Sequence, residues 1–367
     1  MKDILDTGVK NVRNVQTYSI GDGVINDFPE IINAHRSNGR KIIFFVDEFF
    51  QTSKDLLAKL SLQKTDQIIY VSTKDEPSTD YIDDLVSKIT LDKGNNPSAL
   101  VGVGGGITLD VTKAVSNLLT NGGYAADYQG WDLVKKKGIY KIAIPTLSGT
   151  GAEATRTCVL LNKESNLKLG MNSDFTVFDQ ILMDPGMTKT VPVDQYFYTG
   201  MDAYIHCIES LNGTYRNAIG DAFSRQTIEL CREVFQSENT MSNENRTKLM
   251  VASYFGGCAI GMGYVGVVHP FSAGLSVVLG IHHCIANCIT MRAMEEFYPN
   301  EYNEFWEIVN NQGVYIPEGV CSNLTDDQYE KLYLSTIIHE KPLFNALGEN
   351  YYNLLNKDKV INLFKMM

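Results

Sequence analysis

Residues 99–120 read ALVGVGGGITLDVTKAVSNLLT. A compact apolar run enters three successive glycines, and the apolar spacing beyond them changes from strand-like to helical. Glycine allows close approach to the backbone, and a helix N-terminus presents unpaired N–H groups to an anion. Gly104, Gly105 and Gly106 are therefore candidates for holding a phosphate or pyrophosphate. The spacing is neither G-x-G-x-x-G nor a Walker loop, since no G-K-[S/T] follows. A tight turn without a ligand is the alternative that this stretch leaves open.

Segments on either side extend the pattern. KIIFFVD (41–47) and QIIYVS (67–72) predict buried strands, as does KIAIPT (141–146). Helical spacing follows the first of these to about residue 61 and returns in YIDDLVSKIT (81–90). Such alternation predicts a Rossmann-like parallel sheet with helices on both faces. Beyond Asp184-Pro185 the spacing is helical nearly to the end. The expected organisation is an α/β domain over 1–185 and an all-α domain over 186–367. The polar stretch SENTMSNENR (237–246) predicts a loop between helices.

The chain has 367 residues, a net charge of -11, and 44% hydrophobic residues, which is ordinary for a globular protein with sizeable cores. The acidic balance argues against nucleic acid or an anionic membrane surface as partner. The start, MKDILDTGVKNVRNVQ, has no apolar core of signal-peptide length, and no apolar run approaches a membrane span. Seven scattered cysteines predict reduced, packed thiols and a cytoplasmic location. Cys284 and Cys288 are read as packing residues.

A second glycine-rich turn, IPTLSGTGAEATRT (144–157), follows the 141–146 strand and carries Thr146, Ser148 and Thr150. Its hydroxyls and amides are candidates for completing a cofactor cleft. Asp47, closing its strand, is suited to accept hydrogen bonds from a ribose diol and to repel a 2′-phosphate, which favours NAD over NADP. Capping of the next helix is its other reading.

MDAYIHCIES (201–210) sets Asp202 and His206 four residues apart, on one face of a helix. Of six histidines, three more cluster as His269, His282 and His283. Asp202, His206, His269 and one of the adjacent pair form an O,N,N,N set suited to Zn²⁺ or Fe²⁺. A buried hydrogen-bonded pair is the alternative. His35 and His339 stand in polar surroundings and are expected to be solvated.

Taken together, these motifs resemble the iron-containing, or group III, alcohol dehydrogenases over essentially the whole chain. That family's GGGSxxDxxK turn is matched by Gly104 through Asp110 to Lys113, with Ile107 in place of Ser. Its PTxxGTGSE turn is matched from Pro145 to Glu153, and its following lysine by Lys168. Its metal ligands are an Asp, a His four residues on and two later histidines fourteen apart, a pattern met by Asp202, His206, His269 and His283. Family members commonly carry a further histidine near the substrate; here that position is Ala273.

The resemblance implies a dehydroquinate-synthase-like two-domain fold, a divalent metal (Fe²⁺ or Zn²⁺), NAD or NADP, and a homodimer or larger homo-oligomer. It implies cofactor contacts from Asp47, Gly104–Gly106, Asp110, Thr146, Ser148, Thr150 and Lys168, with chemistry carried by the four metal ligands. Stretches such as YQGWDLVKK (128–136) and GTGAEATRT (149–157) are similar to a subgroup acting on the sugar acid 3-deoxy-D-manno-octulosonate (Kdo). That subgroup oxidises the C8 primary alcohol to an aldehyde ahead of transamination, and is described as using oxygen, although both turns are those of a nicotinamide enzyme. Another sugar or polyol is the alternative substrate. For a sugar acid, Arg156 is the candidate carboxylate partner, with a salt bridge to Glu153 or Asp132 as its structural alternative. Trp131 is a candidate pocket wall, with packing between the domains as its alternative, and His282 is a candidate proton shuttle, with a structural role as the favoured alternative. A dehydroquinate-synthase-like lyase would need a further basic cluster, which the sequence lacks.

Overall fold

A computed structural model of the chain describes residues 12–36, 39–90 and 96–367. Residues 1–11, where most of the start read for a signal peptide falls, lie outside the described residues.

Among the described residues, nine strands form two sheets. The larger contains β1 (Thr17–Ile20), β2 (Ile42–Asp47), β3 (Gln67–Val71), β4 (Ala99–Gly104), β6 (Lys141–Pro145) and β9 (Gln180–Met183), in the order β1-β9-β6-β4-β2-β3. Every pairing in it is parallel. β2, β4 and β6 are buried along their whole length, as central parallel strands covered on both faces must be. That is why they read as unbroken apolar runs. The smaller sheet joins β5 (Gly130–Trp131), β8 (Leu167–Asn172) and β7 (Thr157–Asn162), with β7 and β8 antiparallel. The alternation pattern gives no sign of this second sheet, yet it supplies one wall of the site.

Four helices accompany the large sheet: α1 (Phe28–Ala34), α2 (Lys54–Lys59), α3 (Thr79–Thr90) and α4 (Gly106–Asn121). A Cβ at Gly102 would stand 2.6 Å from the Thr112 hydroxyl, so glycine in β4 lets α4 lie close against the strand. After Met183 the regular elements are helical. They are α5 (Val193–Leu211), α6 (Ala218–Phe235), α7 (Asn243–Gly263), α8 (Val268–Leu279), α9 (His283–Thr290), α10 (Pro299–Gln312), α11 (Asp326–Ile337), α12 (Glu340–Leu347), α13 (Tyr351–Leu354) and α14 (Lys357–Lys365). The polar 237–246 stretch spans the loop before α7 and that helix's first turn, where Ser242 caps by accepting from the Asn245 N–H.

α5 is the centre of the helical part. It buries Tyr196, Phe197, Met201, Tyr204, Ile205 and Ile208 among α6, α7 and α9, so apolar burial on every side fixes the helix that carries Asp202 and His206. Among the described residues no single helix is long and apolar enough to cross a membrane; α7 and α8 pass that test only as a pair bent by 105°.

Candidate metal centre and cofactor cleft

Asp202 and His206 project from one face of α5, His269 from the first turn of α8, and His283 from the start of α9. One ligand atom from each of these four residues lies within 4.8 Å of those of the others. The Asp202 Oδ1 atom is 3.6 Å from His206 Nε2, 3.4 Å from His269 Nε2 and 3.8 Å from His283 Nε2. Three ring nitrogens converging on one carboxylate oxygen outline a site for a small cation. His282, the neighbour of His283, is exposed at the N-cap of α9 and lines the cleft without joining the cluster.

The electrostatics favour the ligand forms. Burial opposes ionisation of Asp202, but the imidazoles of His206, His283 and His269 outweigh it and hold the carboxyl below its usual range. Burial pushes His206 down to about 4 and His283 to about 3, which keeps their lone pairs free at neutral pH. His269 differs. Burial would lower it, yet Glu209 and Asp202 raise it to about 9. A cation between Asp202 and His269 would take the place of that proton.

Two further residues orient the cluster. Glu209 Oε2 contacts His269 Nδ1, and its Oε1 accepts from the Val268 N–H at 2.5 Å. This leaves His269 Nε2 directed at Asp202. Asn287, one turn beyond His283, donates to Asp202 Oδ1 at 2.6 Å. Sequence reasoning missed both, although Glu209 stands inside MDAYIHCIES, seven residues and two turns from Asp202. Replacing Glu209 with Gln is expected to weaken metal binding by about 10–100-fold, the usual cost of losing an outer-shell partner. Competition with a coloured chelator measures it directly.

Beside the cluster opens a cleft of about 830 Å³. Its other side is built by the two glycine turns. Gly105 is the N-cap of α4, and Gly106 begins that sixteen-residue helix, so its positive end faces the cleft. The turns touch each other: a Cβ on Gly105 would meet Leu147 at 2.7 Å, and one on Gly106 would meet Thr150 at 3.2 Å. Thr146 and Thr150 line the cleft, whereas Gly104 and Ser148 lie buried behind its wall. Asp47 lines the far end; its Oδ1 caps the next turn through the Phe49 N–H at 3.0 Å. That contact is the capping role, the second of the two readings of Asp47.

Asp110 lines the cleft and accepts from the Val159 N–H at 2.9 Å, while burial pushes its carboxyl up to about 6. Lys113 is wholly buried and donates to the carbonyls of Thr155 and Thr157, sewing α4 to β7. Lys168, on β8, pairs with Glu76 at 3.0 Å. The same Glu76 oxygen accepts from the His283 N–H at 3.1 Å, so one carboxylate ties the lysine to a metal-cluster residue.

Three expectations need correction. Arg156 is not free in the cleft: it contacts Asp132, and its Nε lies 3.0 Å from Asp174. The structural alternative thus describes it, with Asp132 rather than Glu153 as partner; Glu153 is buried and accepts from Ser253 at 2.7 Å. His339 is half-buried rather than solvated. It lines the cleft, its Nε2 is buried without a hydrogen-bond partner, and burial pushes its pKa down to about 4. His35 stacks on Tyr140 with ring centroids 4.0 Å apart. The cysteines are free, and all are buried except Cys284, which is partly so and whose Sγ lies 3.7 Å from Asp202 Oδ2.

The sequence profile described as "Iron-containing alcohol dehydrogenase" matches residues 16–185, and that of the "Fe-containing alcohol dehydrogenase family, C-terminal" matches residues 196–330. Alcohol dehydrogenase 4 of Schizosaccharomyces pombe is 31% identical over 207 residues, 56% of this chain and 49% of that protein. Sulfoacetaldehyde reductase of Bilophila wadsworthia is 32% identical over 222 residues, 59% of this chain and 56% of that protein. The chain thus spans about half the length of these curated relatives. A solved sulfoacetaldehyde reductase from Bifidobacterium kashiwanohense, in complex with NAD+, shares the fold with a TM-score of 0.79 at 21% identity, over 97% of this chain and 98% of that one.

Proposed function

Since the chain belongs to the iron-containing alcohol dehydrogenase family, we propose that it oxidises the primary alcohol of a sugar acid to an aldehyde with NAD as hydride acceptor, the C8 hydroxyl of Kdo being the favoured case. The observation that carries the reading is the convergence of Asp202, His206, His269 and His283 within 4.8 Å on the edge of a glycine-walled cleft.

The donor set, one carboxylate and three imidazoles, fits Fe²⁺ or Zn²⁺. When bound, the cation supplies Lewis acidity toward an alcohol oxygen and the nicotinamide supplies the hydride acceptor. The residues do the rest by placement. Gly105, Gly106 and the α4 N-terminus receive a pyrophosphate. Asp47 keeps an oxygen for the ribose diol and disfavours a 2′-phosphate, so NAD is preferred to NADP. Thr146 and Thr150 orient the cofactor from the second turn, beside Asp110. Lys168, neutralised by Glu76, holds the small sheet against the α9 start. Glu209 keeps the His269 tautomer that points Nε2 inward. Trp131, on β5, forms part of the wall of the substrate pocket.

Sulfoacetaldehyde, the compound named for one relative, is a small aldehyde carrying an anion, which is consistent with an acidic substrate here. Anaerobic incubation of metal-loaded protein with Kdo and NAD or NADP tests the reading through absorbance of the reduced nicotinamide. Accumulation with NAD, together with an 8-aldehyde, supports it. Peroxide and aldehyde formed only after air is admitted would make oxygen the acceptor. Turnover of uncharged polyols but not of Kdo would replace the substrate.

A further inference from the structure

If the substrate is an acid, some cation in the cleft must meet it. Three lysine or arginine side chains line the cavity: Arg156, Lys168 and Lys341. Two are already spent. Arg156 is held between Asp132 and Asp174, and Lys168 is paired with Glu76 at 3.0 Å. Lys341 alone of the three has no carboxylate within ion-pair distance among the described residues.

Its position is nevertheless fixed. The ammonium lies 3.7 Å from the centroid of the Trp131 ring and 5.9 Å from that of Tyr264. Trp131 and Tyr264 meet edge to face at 5.2 Å, and Tyr215 braces Tyr264 at 5.1 Å. An aromatic shelf therefore holds a lysine that would otherwise be mobile, without neutralising its charge. Two residues earlier, His339 lines the same cavity with an unpartnered buried Nε2. The start of α12 thus brings a charged donor and an unsatisfied ring nitrogen to one stretch of wall.

We infer that Lys341, seated on Trp131, is the specificity-determining residue that binds the carboxylate of the substrate, in the role the sequence pattern suggests for Arg156. This deepens the sugar-acid reading above and rests on it for the substrate class. A carboxylate meeting an ammonium forms a charge-assisted hydrogen bond, and the aromatic face beneath excludes water from one side of the pair. Asp132, the acid whose charge acts on Lys341, is itself paired with Arg156, which keeps it from occupying the site.

The chain has two tryptophans, Trp131 and Trp306, so in a Trp306→Phe background the fluorescence reports Trp131 alone. Titrating Kdo and its uncharged methyl ester into that protein reads binding without turnover. The inference predicts a saturable change for the acid, a dissociation constant raised about tenfold or more in Lys341→Met, near-parental binding in Lys341→Arg, and ester binding changed by less than about twofold. Equal loss for acid and ester, unchanged acid binding in Lys341→Met, or no saturable change in the parent would overturn it. The nicotinamide assay separates this from the reading it rests on. Lysine-dependent acid binding without oxidation leaves the inference standing and removes the reading; oxidation of Kdo with an unchanged KM in Lys341→Met does the reverse.

Discussion

Replacing His206 by alanine is expected to abolish stable metal occupancy while leaving the fold and the cofactor turns in place. His206 has only its Nε2 directed at the cluster; its Nδ1 has no hydrogen-bond partner, so its loss orphans no other protein group. The stacking of its ring on His269, 4.7 Å between centroids, is the main packing contact forfeited. Loss of an outer-shell partner already costs about 10–100-fold in metal affinity, so loss of a ligand should exceed about 100-fold. Elemental analysis after dialysis should give a metal-to-protein ratio near that of a protein without a site, and alcohol oxidation should fall with it. NAD binding and the circular dichroism spectrum should change little. Full metal occupancy in His206→Ala would show that the cation sits elsewhere.

The second large effect is expected at Gly149, which the chemistry never touches. Its φ is +151, and a Cβ there would stand 1.5 Å from the Thr199 carbonyl oxygen on α5, a backbone atom that cannot turn aside. Thr199 lies less than one turn before Asp202. The second glycine turn therefore packs directly on the helix that carries the metal cluster, and Gly151, with a Cβ position 2.5 Å from Gly257 Cα, does the same against α7. Gly149→Ala should cost about 4 kcal/mol or more, within the exceptional class of single substitutions. Gly313→Ala provides the contrast: φ is +62 but nothing lies within 4 Å, so the backbone penalty of about 1–2 kcal/mol stands alone. Thermal unfolding of the two variants side by side measures the difference. A similar small loss in both would mean that the two turns and α5 are not packed as described.

The parts legible in the sequence share a physical cause. β2, β4 and β6 are buried on both faces, so they appear as continuous apolar runs that need no partner to be recognised. The metal cluster is legible because two of its members sit one helical turn apart and the chain has few histidines from which to choose. β1, β5 and β9 are short, at four, two and four residues, and the β7–β8 hairpin is only half-buried, so none imposes a strong pattern. That hairpin and β5 carry Lys168 and Trp131, which is why the substrate side of the cleft was the least readable. His339 and Lys341 lie beyond local inference altogether. Their polar neighbours suggest a surface, and only the tertiary return of the start of α12 over Trp131 brings them to the cavity. Arg156 shows the converse: a cation near the pocket in sequence is consumed by Asp132 and Asp174 once the chain has folded.

Anomalous diffraction from crystals of the protein loaded with iron or zinc tests the central claim most directly. The account predicts a single strong peak per chain enclosed by Asp202 Oδ1 and the Nε2 atoms of His206, His269 and His283, at about 2.0–2.2 Å from each. A peak on Cys284 and Cys288, or occupancy that leaves any of the three imidazoles unbound, would contradict it.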